Sequence, residues 1–444
     1  MVERSRVAVL VGALVLATSS LAAAWPGSGA VAAGETCHGE AATIVGTPDG
    51  DIHGTNGPDV VVTNGAAQTD TGAGDDIVCV TGGDGLGNAF ISVDEGDDLV
   101  DATASEARDV VADLGAGDDT FFGGSEVDIV NASDPFESDP GQGADTVSTG
   151  GGADFVQSGG SIAQPDHDTI DLGPGRDDAD LEGLTDPALP VHGGPGRDGI
   201  ELTRVAMRHA LVIDNRTGEA TDAGTPVISW GGMEVFSLSN IGSWGPPSFI
   251  GGPGAERVYS LVPLTSVDLG GGDDRLNLEL QHSVVDHPTY RGGSGHDSFI
   301  LYAGAGDEAQ RERLDLVHGR LFFRRTAKAS MHARIHGFEQ AKLSSYHLNV
   351  IGSAKADDIV WLGCRGVVAG GRGNDLISAY ADDDAGCGYL GGDAKLVVRG
   401  GPGDDRLIGN YFPDTLLGGP GKDYADGGGN KDRCVAEKTV RCES

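Results

Sequence analysis

The sequence predicts an all-β chain, a parallel β-roll or β-helix solenoid with irregular rungs, and three observations carry that prediction. A nine-residue phrase of the form GGxGxDxUx, where U is a large apolar residue, returns along the chain, as in LGAGDDTFF from Leu114, GGSGHDSFI from Gly292, GGRGNDLIS from Gly370 and GGPGDDRLI from Gly400. The acid at its sixth position is followed two residues later by a large apolar side chain in thirteen of sixteen copies, a strand period and not a helical one. The acids also recur at steps that suit one turn of a stacked coil: 18 residues from Glu256 to Asp274, Asp357 to Asp375 and Asp405 to Asp423, and 21 to 23 at several others.

The sixteen acids are Asp51, Asp59, Asp76, Asp98, Asp119, Asp145, Asp154, Asp177, Asp198, Glu256, Asp274, Asp297, Asp357, Asp375, Asp405 and Asp423. The apolar partner is replaced by His53, Ala179 and Ala425 in three copies. In each phrase the glycines permit a tight turn with inward carbonyls, the carboxylate supplies a hard anionic oxygen, and the apolar residue enters a short strand. Oxygen-only ligation at repeated turns points to several calcium ions, with the fifteen aspartates as the expected ligands. Fifth-position acids such as Asp75, Asp97, Asp118, Asp273 and Asp404 are weaker candidates, expected to face solvent.

Charge agrees with that reading. The chain carries 30 basic and 68 acidic residues, a formal charge of −38. Such a surface repels phosphate at long range, so nucleic acid is not an expected partner. It also opposes compaction unless cations are built in, and without calcium much of the chain is expected to be disordered.

Residues 1–33 read as a secretory signal: basic residues, an apolar run, then small residues with possible cleavage after Ala24, Ala32 or Ala33. No second long apolar run follows, so the expectation is a secreted, extracellular chain without a membrane span. Six cysteines suit an oxidising compartment and permit fifteen connectivities. Neighbour pairing is expected in a coil whose rungs stack: Cys37 with Cys79, Cys364 with Cys387, and Cys434 with Cys442.

The two longest gaps between acids hide a duplication. HGGPGRDGIEL from His192 matches RGGSGHDSFIL from Arg291, and WGGMEV around Met233 and Glu234 parallels IHGFEQ around Phe338 and Glu339. The expected organisation is a signal (1–33), an N-terminal repeat solenoid (34–191), two copies of one module (192–290 and 291–390), and C-terminal repeats with a disulfide cap (391–444).

The opening CHGEAATIVGTPDGDIHGTNGPDVVV from Cys37 and the ending GGPGKDYADGGGNKDRCVAEKTVRCES from Gly418 resemble secreted RTX-type (hemolysin-type) calcium-binding repeat proteins of high-GC Gram-positive bacteria. The resemblance implies a parallel β-roll with ions held between stacked loops by sixth-position carboxylates and backbone carbonyls. It implies little about biological role.

Motifs for catalysis are missing. There is no HExxH, the twelve histidines are scattered, and no GxSxG elbow is present. The expectation is a calcium-binding structural, adhesive or surface-associated protein with no intrinsic catalysis. The alternative is a β-helix polysaccharide lyase or epimerase acting on acidic glycans, and it rests on one stretch. Arg311, Arg313, Arg320, Arg324, Arg325, Lys328, Arg334 and Lys342 gather 8 of the 30 basic residues, with His332, His336 and Tyr346 close by. That stretch is either a strand face balancing nearby acids or a surface for an extracellular acidic glycan.

Overall fold

Segments such as Ile77–Cys79 are only three residues long and bury the middle side chain, so no single strand could persist alone. Stacking solves this. Val61 pairs in parallel with Val78, Val78 with Val100, Val100 with Phe121 and Phe121 with Val147. One sequence position thereby repeats at each rung, about 4.8 Å above the last. In a second sheet Val156, Ala179, Ile200, Phe236, Val258, Leu276 and Phe299 form a matching row. The inner faces of the two sheets supply one continuous apolar core.

The computed structural model describes residues 34–133, 143–159, 165–243, 245–280, 285–302, 311–326, 329–380 and 395–442, which contain no helix. The expected signal segment, Lys328 and Cys387 lie outside the described residues. The first sheet runs from Ile44–Val45 to Arg433–Val435 and the second from Asp51–His53 to Lys438–Val440. Their terminal strands have a parallel neighbour on one side only, so both sheets are open and the chain is a parallel β-solenoid. No helix among the described residues is long and apolar enough to cross a membrane.

The thirteen large eighth-position residues are all buried, and so are Ala179 and Ala425. His53 is exposed. Near the start, Thr36–Cys37 folds back on Glu40–Ala41, and the Cys37–Cys79 disulfide ties this pair onto the first sheet. The Cys434–Cys442 disulfide closes the last rung, and Cys364 is also disulfide-bonded. The Cys434–Cys442 bond staples the final strands, an edge that would otherwise fray or pair with another chain, whereas the Cys37 segment covers the outer face of Val60 and Val62.

The long gaps between acids hold two antiparallel hairpins inserted into the first sheet. Leu211–Asp214 and Glu219–Asp222 lie between the rung strands Thr225–Gly231 and Ser248–Ile250. Arg311–Asp315 and Arg320–Thr326 lie in the same way between Ala329–His336 and His347–Ile351. Ile213 aligns with Phe249 as Leu314 aligns with Val350, so the registers correspond residue by residue. Leu211 therefore occupies the place of Glu312, Val212 that of Arg313, Glu219 that of Arg320 and Ser229 that of Arg334.

Glu312 is the anomaly in this core. It is fully buried, paired in register with Phe323 and Leu348, and neither carboxyl oxygen has a hydrogen-bond partner. Burial alone pushes its carboxyl well above the usual range. The corresponding Leu211 is equally buried and satisfied by apolar contact. Replacing Glu312 by Leu should therefore stabilise the protein by about 1–3 kcal/mol at pH 8, the cost of an unsatisfied buried polar group. A melting temperature that falls on substitution would show that the carboxyl has a structural task.

Candidate metal sites along the two solenoid edges

The sixth-position acids stand where each turn enters a strand, and stacking brings them into two files. At the entry to the first sheet the backbone N–H of Asp59 donates to Oδ1 of Asp76 at 2.7 Å, and the same bond links Asp76 to Asp98, Asp98 to Asp119, Asp119 to Asp145 and Asp145 to Asp168. At the entry to the second sheet the file runs Asp128, Asp154, Asp177, Asp198 and Glu234. It resumes as Glu256, Asp274, Asp297 and Glu339. It resumes again as Asp357, Asp375, Asp405, Asp423 and Glu437.

One carboxylate oxygen of each linked acid is thus spent on the neighbouring rung. At most of them the other is left over, whereas Asp168 Oδ2 accepts the Ser158 hydroxyl and Glu339 Oε1 pairs with Lys355. Oδ2 of Asp98, Asp119, Asp177, Asp198, Asp297, Asp375 and Asp405 is buried without a hydrogen-bond partner. A row of buried, half-satisfied carboxylates is costly, because desolvation and mutual repulsion both penalise the charged form. Burial accordingly pushes the Asp98 and Asp145 carboxyls up to about 8, Asp119 and Asp274 to about 7, and Asp177 and Asp375 to about 6, with neighbouring acids adding to the rise at each.

The turns are shaped around these oxygens. A side chain at Gly370, Gly400 or Gly418 would run into Oδ2 of Asp375, Asp405 or Asp423 of the same turn. Gly403 and Gly421, at φ of 154° and 155°, are also required as glycines, since a Cβ on Gly403 would strike the carbonyl oxygen of Gly373 and one on Gly421 that of Gly403. Carbonyl oxygens of one rung therefore point at the next beside the carboxylate file. The donor set is all oxygen, partly anionic and unsatisfied, which suits a hard divalent cation needing six to eight oxygen ligands.

The acids that begin these four runs are engaged differently, Asp128 by the Gly124 N–H and Glu256 by the Asn215 amide. Asp59 receives hydrogen bonds from Thr55 and Thr43, and Asp357 from the backbone and hydroxyl of Ser353, so their oxygens are already engaged. Asp51 stands outside both files: it is exposed on the strand Asp51–His53 and pairs in register with Gln68. The fifth-position acids Asp75, Asp97, Asp118, Asp273 and Asp404 are exposed, as expected, but not idle. Asp75, Asp97 and Asp118 accept backbone N–H groups from the next rung, forming an outer, solvated file.

Several file members were not among the sixteen acids. Asp128, Asp168, Asp414 and Asp432 lie nine residues after or before a recognised acid, the spacing that carries the chain from one edge to the other. Asp414 donates its N–H to Asp432 at the entry to the first sheet, and burial pushes its carboxyl up to about 7. GGGNKDRCV from Gly427 is nearly a complete phrase, whereas GNYFPDTLL from Gly409 keeps little beyond the acid and Leu416. Glu234 and Glu339 keep only the glycine two residues before the acid, Gly232 and Gly337, and Glu437 keeps none; their shared signal is an acid two residues before an inward strand position. His38, Cys79 and Asp101 also converge, but the Cys79 sulfur is committed to Cys37.

The model of the RTX calcium-binding nonapeptide repeat matches four stretches, residues 108–134, 141–161, 367–393 and 399–434. Three of these include rungs with buried acids on both edges, such as Asp119 with Asp128, Asp145 with Asp154 and Asp405 with Asp414. Comparison with curated proteins found no match. Its stacked turns, files of half-satisfied carboxylates and matched stretches together identify a chain that carries RTX calcium-binding nonapeptide repeats, the kind that binds multiple calcium ions.

Proposed function

We propose that this is a secreted scaffold, folded by calcium and without intrinsic catalysis, that acts in a structural, adhesive or surface-associated role outside the cell. The observation that carries this reading is the pair of acid files with orphaned buried oxygens. Each ion is held between rungs by the file carboxylates and neighbouring turn carbonyls. Asp76, Asp98, Asp119, Asp145, Asp154, Asp177, Asp198, Asp274, Asp297, Asp375, Asp405 and Asp423 are the principal ligands, with Asp59 and Asp357 at the file ends. Asp128, Asp168, Asp414 and Asp432 extend the set, and Asp51 falls outside it. The cation supplies charge neutralisation and cross-rung ligation; the chain supplies a rigid, extended surface.

Calorimetric titration of the chelated chain tests this. Several calcium equivalents should bind, with affinities of about 0.1–1 mM as in extracellular modules, and magnesium should substitute poorly because it dehydrates reluctantly and is seldom held by all-protein oxygen cages. Chain recovered from culture medium should begin just after Ala24, Ala32 or Ala33. Fewer than two calcium equivalents, or retention of the first 33 residues in a cytoplasmic product, would defeat the respective halves of the proposal.

A further inference from the structure

The second inserted hairpin carries a charge pattern that folding does not require. Its inward side chains, Leu314, Leu321, Phe323, Met331, Ala333 and Ile335, are buried in the core. Its outward face presents Arg313, Arg320, Arg324, Arg334 and His332 to solvent. Arg320 lies directly opposite Arg334 in the antiparallel register, and like charges in that relation destabilise a sheet.

No acid is in contact with them, although Asp315 attracts Arg313 at longer range. Among the described residues Arg313, Arg320, Arg324 and Arg334 form no ion pair, although the chain has 68 acids. Asp315, opposite Arg320, is turned to the backbone and ring of His318 instead, at 3.0 Å. The first hairpin is an internal control. At the places of Arg313, Arg320 and Arg334 it has Val212, Glu219 and Ser229, and its Arg216 is bonded to Asp214 at 2.7 Å. The same scaffold folds without the arginines.

We propose that this face binds a linear acidic polysaccharide, with the arginines holding its carboxylate or sulfate groups. Guanidinium groups match such anions bidentately, and cross-strand neighbours lie about 5 Å apart, close enough to engage one chain together. Between the two outer arginine rows, Arg313, Phe322 and His332 align across the three strands, with Phe322 and His332 ring centroids 4.9 Å apart. This ledge gives the apolar face of a sugar ring a surface between anion contacts. The formal charge of −38 opposes every polyanion, and duplex DNA, with one negative charge per about 1.7 Å of axis from its two strands, more strongly than a single polyuronate strand with one carboxylate per sugar. The proposal stands on the hairpin face and not on the acid files, so it survives if the calcium ligands are misassigned.

The test uses the full calcium-loaded chain with four immobilised probes: polygalacturonate, dextran sulfate, neutral dextran and duplex DNA. Binding should be seen with at least one of the two acidic polysaccharides, weaken as salt rises, and be absent with neutral dextran. Replacing Arg313 by Val, Arg320 by Glu and Arg334 by Ser, the residues of the first hairpin, should weaken it at least tenfold with an unchanged melting temperature. Arg320→Gln alone, exposed and remote from the core, serves if the triple variant misfolds, and should weaken binding about threefold. Failure to bind either acidic polysaccharide, equal binding by the folded variants, or tighter binding to DNA would overturn the proposal. Polyuronate captured through bound calcium would be recognised by its indifference to the arginine variants.

Discussion

Stripped of calcium at pH 8, the chain should lose most of its β-structure, and at pH 5 it should keep more of it. The sign follows from the acid files. Burial raises the folded-state values of Asp177 and Asp375 to about 6, Asp119 and Asp274 to about 7, and Asp98 and Asp145 to about 8. An acid whose value is higher in the folded state stabilises that state below the ordinary carboxylate range and ceases to do so as pH rises through the folded value. The calcium-free fold is therefore weakened progressively from about pH 4, the ordinary carboxylate value, until the last of these folded values is passed near pH 8. Calcium needs the ionised form, so its binding releases protons and strengthens over the same window. Far-ultraviolet circular dichroism and thermal melts at both pH values, with chelator and with calcium, read both trends. A calcium-free chain that melts higher at pH 8 than at pH 5 would contradict the assignment of the buried carboxylates.

Asp119→Asn should change sign with calcium. The amide keeps the acceptor for the Asp98 N–H, 2.8 Å away, and removes the charge that the orphaned oxygen carries. Without calcium at pH 8 the variant should be more stable by roughly 1–3 kcal/mol, a rise of a few degrees in melting temperature. With calcium it should be less stable than the parent, because the ions on either side lose an anionic ligand, and calcium affinity at those rungs should fall at least tenfold. Hydrogen exchange should loosen around Asp98 and Asp145, the file neighbours, more than around Asp405, since solenoid rungs are coupled chiefly to the next rung. Asp118→Asn, in the exposed outer file, is the control and should move stability by less than about 0.5 kcal/mol. Loss of stability in both conditions would mean that Asp119 is a turn-forming residue and nothing more.

The local chemistry of this protein is written in nine residues at a time. Glycine, acid and apolar residue at set offsets determine a turn, a carboxylate before the strand and a side chain in the core, which is why the buried eighth-position rows were readable without coordinates, whereas the burial of Asp76 through Asp423 was not. Nor was alignment between rungs. Whether an acid joins a file depends on the lengths of the loops on both sides, so Asp168 and Glu437 enter without a glycine signature while Asp51, with a recognisable phrase, stays on the exposed face. The basic stretch shows the same division. Composition revealed the arginines of residues 311–334, but only the antiparallel register placed Arg320 opposite Arg334, turned Asp315 away to His318, and set Val212, Glu219 and Ser229 at the corresponding places of the first hairpin. Turn formation is decided by neighbours in sequence, whereas files and faces are decided by neighbours one rung away, at distances along the chain that vary from 14 to 42 residues.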